Sequence, residues 1–197
     1  GEVQYAAYSV ATVVEQLATL SAFGLAAATG IIVGKTIGEG KKDVVYDYGK
    51  TMLVLSCGIA IIMAGIVFAL RYPLLQIFNV QPETKDFAYK ILIVIAAAVV
   101  FKTFNCVVIV GVLRGGGDTT VSLLIDFLPM YIISIPLGIF AFKLGAPVHI
   151  VLACLMSDEG LKWIFSLARF FSRKWIKNIT REDKVPLAAA VLPEIAE

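Results

Sequence analysis

The sequence predicts an all-α bundle of membrane-spanning helices. Of its 197 residues, 59% are hydrophobic and 16% are charged, whereas soluble domains average about 45–50% apolar and about 25% charged residues. The apolar excess is concentrated, because residues 16–34 and 51–70 contain no charged side chain. Each run is close to the roughly 20 residues that cross a bilayer as a helix. This composition excludes a soluble domain, a disordered chain and a disulfide scaffold.

Five apolar segments are expected to span the membrane. Their approximate limits are residues 6–33, 50–70, 87–113, 119–142 and 148–171, here called spans A to E. None alternates polar and apolar residues as a barrel strand would. Span D contains Pro129 and Pro136, which favour kinks near Asp126. Residues 72–78, between spans B and C, are expected to form a short amphipathic segment in the outer interface.

Basic residues in the connections predict the orientation of the bundle. The side holding the A–B loop, the C–D loop and the C-terminal tail is richer in Lys and Arg, so we expect it to be cytoplasmic. Its basic residues are Lys35, Lys41, Lys42, Lys50, Arg114, Arg173, Lys174, Lys177, Arg181 and Lys184, against Arg71, Lys85, Lys90 and Lys143 on the other side. Span A would then begin outside the cell, from which we expect at least one helix upstream.

Three local patterns predict how the ends of the spans are arranged. Ala26, Gly30, Gly34 and Gly38 form a small-residue strip on span A, typical of close helix packing or of a surface that slides between helices. The three glycines of the C–D loop predict a tight turn, with residue 118 or 119 capping span D. Trp175, within the basic tail, is typical of an interfacial anchor.

Charged residues inside the spans are the strongest functional signal. A charge at the bilayer centre costs about 2.5–3.5 kcal/mol, so each needs a partner or a wet cavity. The intramembrane acids are Glu15, Asp126, Asp158 and Glu159, and the cations are Lys102 and Lys162. Asp158 and Lys162 are four residues apart, which favours a structural ion pair.

Lys102 is expected to neutralise an acid on another helix. Glu15 and Asp126 have no cation at i±3 or i±4; either could pair across helices or line a transport cavity. The excess of acid suits a site for protons, sodium ions or organic cations. We therefore predict a cation and substrate cavity formed by Glu15 and Asp126 with Lys102, Asn105 and Thr19. With a single histidine and a net charge of only +2, the sequence favours neither a histidine metal site nor a nucleic-acid partner.

Several sequence strings identify a family resemblance. Residues 26–40 read AAATGIIVGKTIGEG, residues 72–78 read YPLLQIF, residues 112–119 read VLRGGGDT, and residues 171–180 read FSRKWIKNIT. In this order they resemble the multidrug and toxic compound extrusion (MATE) transporters. The resemblance implies twelve helices in two six-helix lobes, with spans A to E as helices eight to twelve. Residues 1–180 would form the C-terminal lobe without its first helix, and residues 181–197 a cytoplasmic tail.

The resemblance also implies a function in the plasma membrane. Such proteins are secondary antiporters that export amphipathic, often cationic compounds, with H⁺ or Na⁺ as coupling ion and no cofactor. The partners expected are therefore a small-molecule substrate, the lipid bilayer, and the N-terminal lobe with the helix preceding span A. Several members carry a cation site with one acid on helix seven and one on helix ten. Here the matching span C carries Lys102 and Asn105 but no acid, which favours proton coupling or a site in the other lobe.

Two alternatives stay open at the level of sequence. A lipid-linked oligosaccharide flippase of the same superfamily would need a larger and more basic cavity. A non-transporting membrane module would pair all of its buried charges within the bundle. An enzyme is the least favoured class, because the sequence shows no nucleophile, metal cluster or cofactor motif.

Overall fold

The chain folds into long helices joined by short turns. The computed structural model describes residues 2–77 and 82–177. Its α-helices are α1 (Glu2–Gly38), α2 (Lys42–Ile77), α3 (Pro82–Asn105), α4 (Thr119–Pro129), α5 (Ile135–Lys143), α6 (Val148–Leu155) and α7 (Asp158–Phe171). A π-helical segment, Cys106–Arg114, continues α3, and a second, Met130–Ser134, joins α4 to α5. No strand occurs in the described ranges, and the predicted all-α fold is confirmed.

Four helical stretches are long and apolar enough to cross a membrane. They are Ala11–Gly38, Lys42–Ala69, Lys85–Arg114 and Thr119–Lys143, and they correspond to spans A to D. Span E differs from the prediction, since α6 ends at Leu155 and α7 begins only at Asp158. This region, the predicted fifth span, is therefore two half-helices in series, and its crossing of the membrane stays a prediction. The assignment of these spans as helices eight to twelve stays a prediction.

Prolines change the helices in two different ways. The π-helical segment Met130–Ser134 lies between Pro129 and Pro136, where the sequence predicts kinks. At Pro73, in contrast, α2 continues to Ile77. Residues 72–77 therefore continue α2 and do not form a separate element, and Phe78 lies outside the described residues. Their location in the outer interface stays a prediction. Membrane helices tolerate an internal proline when neighbouring groups satisfy the freed backbone.

Two apolar clusters hold the bundle together. The first joins the early part of α1 to α2, α3 and α6 through buried residues such as Ala11, Ile95 and Leu152. The second joins the end of α1 to the first π-helical segment, α4 and α7 through residues such as Val33 and Val112. In α3 and in span E, one part of the chain packs into the first cluster and another part into the second. The intramembrane charged residues of both segments lie between these two parts.

The small-residue strip of α1 packs against the first π-helical segment. A Cβ added to Gly30 would lie 3.6 Å from the carbonyl oxygen of Gly111, and one added to Gly115 would lie 2.8 Å from the Cα of Gly30. The two backbones are thus in direct contact, as small residues allow. The predicted close packing is confirmed for this part of the strip. A sliding function for the same surface stays a prediction.

The C-terminal segment after α7 folds back onto the bundle. Trp175 is fully buried, its indole N–H donates to the Phe170 carbonyl at 2.9 Å, and its ring stacks on that of Phe170. A side chain at Gly116 would collide with the backbone oxygen of Trp175 at 2.6 Å. The prediction of an interfacial anchor at Trp175 is therefore wrong. Gly49 and Gly116, which are distant from Trp175 in sequence, leave room for its indole inside the protein.

Asp118 fixes this segment to the turn between spans C and D. Its buried carboxylate accepts hydrogen bonds from Arg169 Nε and Lys177 Nζ, both at 2.5 Å. The side chain does not cap α4, although Asp118 occupies the N-cap position, because both oxygens face cations. Burial raises the pKa of Asp118, but the hydrogen bonds from Arg169 and Lys177 outweigh burial and hold the pKa below its ordinary value.

The lowered pKa of Asp118 predicts a loss of stability in acid. A carboxyl group whose pKa is lower in the folded state stabilises the fold above its unfolded pKa of about 3.9. This contribution disappears as the pH falls below that value and through the lowered pKa of the folded state. We expect Asp118→Asn to unfold more easily than the wild type at neutral pH, with the difference shrinking in acid. Denaturant titrations across this pH range measure the effect.

The matched control is Asp47→Asn. Asp47 forms an exposed pair with Lys50 at 3.2 Å, and exposed pairs contribute about 0–1 kcal/mol. Equal effects of the two substitutions at neutral pH would contradict the proposed contribution of Asp118.

Candidate functional site

Three carboxylates and two cations converge where the fifth span is interrupted. Lys162 lies one turn into α7, with its ammonium 2.8 Å from Asp158, 3.5 Å from Asp126 and 3.8 Å from Glu159. The predicted ion pair between Asp158 and Lys162 is confirmed. Both side chains of that pair are nearly buried, so each charge depends on the other for the solvation that water no longer provides.

Serine side chains form hydrogen bonds with the polar groups at the interruption. The backbone N–H of Asp158 donates to Ser134 Oγ at 2.8 Å, and Ser134 Oγ donates to the Asp158 carboxylate at 3.1 Å. Ser157 Oγ donates to the carbonyl of Cys154 at the end of α6, at 2.7 Å. These bonds satisfy backbone groups that a broken helix leaves without partners. The second π-helical segment, which carries Ser134, therefore supports the break in the neighbouring span.

Asp126 connects the same cluster to the end of the first π-helical segment. Its carboxylate accepts a hydrogen bond from Arg114 at 2.7 Å in addition to the Lys162 contact. The sequence predicts Arg114 only as a basic residue of the C–D loop. Asp126 thus has two cationic partners on two other helical elements, and neither lies on its own helix.

Asn105 connects the cluster to the end of α3. Its side-chain nitrogen donates to the carbonyl oxygen of Glu159 at 2.8 Å and to the Glu159 carboxylate at 2.9 Å. The residue is buried, and its side-chain oxygen has no hydrogen-bond partner within the described ranges. Asn105 therefore holds the first turn of α7 against α3.

Glu15 forms a second, adjoining group. Its carboxylate accepts a hydrogen bond from Lys102 at 2.6 Å, which links α1 to α3. Lys102 thus neutralises an acid on another helix, as the sequence predicts. The Thr19 hydroxyl donates to the Glu15 carbonyl at 2.9 Å within α1. Lys102 and Asn105 are three residues apart on α3 and share a face, so the two groups are neighbours along that helix.

The five predicted cavity residues are therefore distributed over two groups. Glu15, Lys102 and Thr19 form one, while Asp126 and Asn105 belong to the cluster at the interruption. Sequence reasoning left Arg114 and Ser134 out of the site. The signal that could have pointed to Ser134 lies in its partners, Ser157 and Asp158. These two residue types are typical of a helix N-terminus, yet they occur inside an apolar run.

A separate apolar groove of about 570 Å³ lies between α4 and α7. None of the predicted cavity residues lines it. The groove is therefore separate from the two groups of ion pairs described above.

A comparison with known protein families assigns the chain to one of them. Residues 1–140, more than half of the chain, match the family model described as MatE. The chain belongs to the MatE family. It is a multi-pass membrane protein of a transporter family, and the resemblance seen in the sequence is confirmed.

Individual relatives of this MatE-family chain are longer transporters. It is 27% identical over 190 residues to a protein of Thermotoga maritima named "Probable multidrug resistance protein NorM", covering 92% of this chain and 40% of that protein. It is 27% identical over 159 residues to the Bacillus subtilis uncharacterized transporter YisQ, covering 79% of this chain and 35% of that protein. The chain thus spans less than half the length of these relatives.

A solved structure shares the fold. The crystal structure of the eukaryotic MATE transporter AtDTX14 superposes with a TM-score of 0.81 at 19% sequence identity, covering 90% of this chain and 40% of that one. At this identity the similarity establishes the fold of the helices, including their order and packing.

Proposed function

We propose that this chain is part of a secondary active exporter in the plasma membrane that extrudes amphipathic, cationic compounds in exchange for H⁺ or Na⁺. The observation that carries the proposal is the cluster at the interrupted fifth span. There, the carboxylates of Asp126, Asp158 and Glu159 outnumber the cations Arg114 and Lys162 by one. Broken helices with converging polar groups are the usual location of coupling sites in secondary transporters.

The ion pairs give cation entry a way to act on the fold. Protonation of Asp126, or a cation bound to it, weakens its bonds to Arg114 and Lys162, which hold three helical elements together. Discharge of Glu15 releases Lys102 in the same way and loosens α1 from α3. A ligand shifts a conformational equilibrium only through such differential interactions. Both acids therefore connect cation binding to helix packing.

The orientation in this proposal places the C-terminus in the cytoplasm. In support, Gly116 of the C–D turn, Gly49 near the start of α2 and the C-terminal Trp175 are in close proximity. These are the segments whose basic residues predict a cytoplasmic location.

One observation favours the non-transporting alternative. The acids Glu15, Asp126, Asp158 and Glu159 each have a cationic partner within the described part of the chain. That is the arrangement expected of a module whose buried charges are structural.

Transport measurements with the full-length protein distinguish the two functions. We expect Asp126→Asn and Glu15→Gln to reduce pH-gradient-driven or sodium-gradient-driven efflux of a cationic dye from proteoliposomes by about tenfold, within the range typical of coupling between two sites. Both substitutions keep the shape of the side chain and remove its ability to take up a proton. Parallel gradients of H⁺ and Na⁺ identify the coupling ion.

Glu39→Gln is the matched control, since Glu39 lies in the turn after α1 and pairs with exposed Lys41. Its efflux should equal that of the wild type. Unchanged coupled efflux in both Asp126→Asn and Glu15→Gln would remove these residues from the mechanism and leave the structural explanation of the ion pairs.

A further inference from the structure

The groove between α4 and α7 has a chemically divided lining. Most of its wall is apolar and includes Leu124, Leu128 and Ile132 from the fourth span with Phe165 from α7. All four side chains are exposed. One end of the groove is polar, where it is lined by Arg169, Ser172 and Lys174.

The polar end carries an excess of positive charge. The Asp118 carboxylate pairs with both Arg169 and Lys177, so one acid faces two cations there, and Lys174 adds a further positive charge to the lining. Lys174 has no acidic partner in the part of the chain that the structure describes. Arg169 uses only its Nε–H on Asp118, so the two terminal amino groups of its guanidinium are available to an oxyanion, for which the guanidinium is well shaped.

We propose that this groove binds an anionic phospholipid. An acyl chain would lie along Leu124, Leu128, Ile132 and Phe165, and the phosphate would meet Arg169 and Lys174 at the end of the groove. Basic pockets between membrane helices favour anionic head groups in this way. Charge complementarity selects an anionic lipid, because the choline group of a zwitterionic lipid would place its cation beside the two basic residues.

The site connects lipid binding to the folded C-terminal segment. Arg169 holds Asp118 of the C–D turn, and Lys174 is adjacent to the buried Trp175. A phosphate bridging the two cations would reduce their mutual repulsion and stabilise the segment in its docked position. The bound lipid is therefore expected to protect this part of the protein from unfolding.

The test is lipid binding to the full-length protein in detergent micelles, measured by native mass spectrometry with phosphatidylglycerol or phosphatidylcholine. We expect the wild type to bind phosphatidylglycerol several-fold more tightly. Lys174→Gln should weaken phosphatidylglycerol binding about fivefold, as expected for one surface cation, and leave phosphatidylcholine unchanged. Lys143→Gln, at an exposed lysine outside the groove, is the matched control and should alter neither.

A second variant tests the apolar part of the groove. Ala168→Trp places an indole into the groove and should reduce the binding of both lipids. Equal binding of the two lipids by the wild type, or an unchanged preference in Lys174→Gln, would overturn the proposal. So would competition by inorganic phosphate alone at the same concentration as the lipid. If another segment of the full-length protein fills the groove, neither lipid binds, and the proposal is equally overturned.

Discussion

Replacing Lys162 by Met should destabilise the protein by about 3–5 kcal/mol, the cost typical of removing one partner from a buried ion pair. Only 10% of the Lys162 side chain and 7% of the Asp158 side chain are exposed. Without the ammonium, Asp158 would stay buried with no cationic partner in the described part of the chain. Asp126 would keep Arg114, and Glu159 would keep Asn105. The loss should therefore come mainly from Asp158.

The chain contains a closely matched control for this pair. Lys90 also lies four residues after an aspartate, Asp86, and also at 2.8 Å, but the side chains are 48% and 66% exposed. Exposed helical pairs of this spacing contribute about 0.3–0.5 kcal/mol. Sequence spacing, helix direction and distance are therefore the same in the two pairs, and burial is the principal difference.

Two double-mutant cycles measure that difference directly. One combines Lys162→Met with Asp158→Asn, the other Lys90→Met with Asp86→Asn, with unfolding followed by denaturant titration of the full-length protein in micelles. We expect the coupling energy of the buried pair to exceed that of the exposed pair several-fold. We also expect Asp158→Asn to restore part of the stability lost in Lys162→Met, because it removes the unpaired charge. Equal coupling energies would show that burial does not determine the contribution of Lys162.

The local parts of this network were predictable from sequence, and its long-range parts were not. The Asp158–Lys162 pair follows from helical spacing alone. The pairing of Asp126 with Arg114 depends on how the first π-helical segment and the following turn orient Arg114, and hydropathy does not encode that geometry. Asn105 reaches Glu159 across 54 positions of sequence, a contact set by packing of α3 against α7.

The fold shows the same division between local and non-local information. Runs of apolar residues identified four spans because length and hydropathy are local properties. The interruption of the fifth span depends on Ser134 in the neighbouring span, whose hydroxyl satisfies the N–H of Asp158. Likewise, the local sequence around Trp175 does not distinguish an indole at the membrane interface from one buried in the protein, because both would follow from an aromatic residue in a basic tail. Gly116, far from Trp175 in sequence, makes the buried position possible.

The contact between α1 and the first π-helical segment should be intolerant of a single added methyl group. In Gly115→Ala the new Cβ would lie 2.8 Å from the Cα and 3.0 Å from the carbonyl oxygen of Gly30. Gly115 has φ −59° and ψ −31°, a helical conformation that alanine adopts freely, so the objection is steric. Overpacking of this kind typically costs about 1–3 kcal/mol. The same denaturant titration measures the loss.

The control is Gly24→Ala, on α1, where an added Cβ would meet no atom within 4 Å. Because alanine favours a helix over glycine by about 0.5–1 kcal/mol, this variant should be unchanged or more stable. The expected result is a loss of stability in Gly115→Ala and none in Gly24→Ala. Gly115→Ala as stable as Gly24→Ala would show that the two backbones can separate at little cost, which a sliding surface requires.

The neighbour of Gly115 also determines whether the damage can be repaired. At Gly138 the added Cβ would meet a side chain, with Leu155 Cγ at 2.8 Å, and truncation to Leu155→Ala would make room for it. At Gly115 the obstacle is the backbone of Gly30, which has no side chain to remove. We therefore expect Leu155→Ala to recover part of the stability lost in Gly138→Ala, while no substitution at Gly30 rescues Gly115→Ala. Rescue by Gly30→Ala would contradict a backbone contact, because a methyl group at Gly30 removes none of the Gly30 backbone atoms that the Gly115 Cβ would meet.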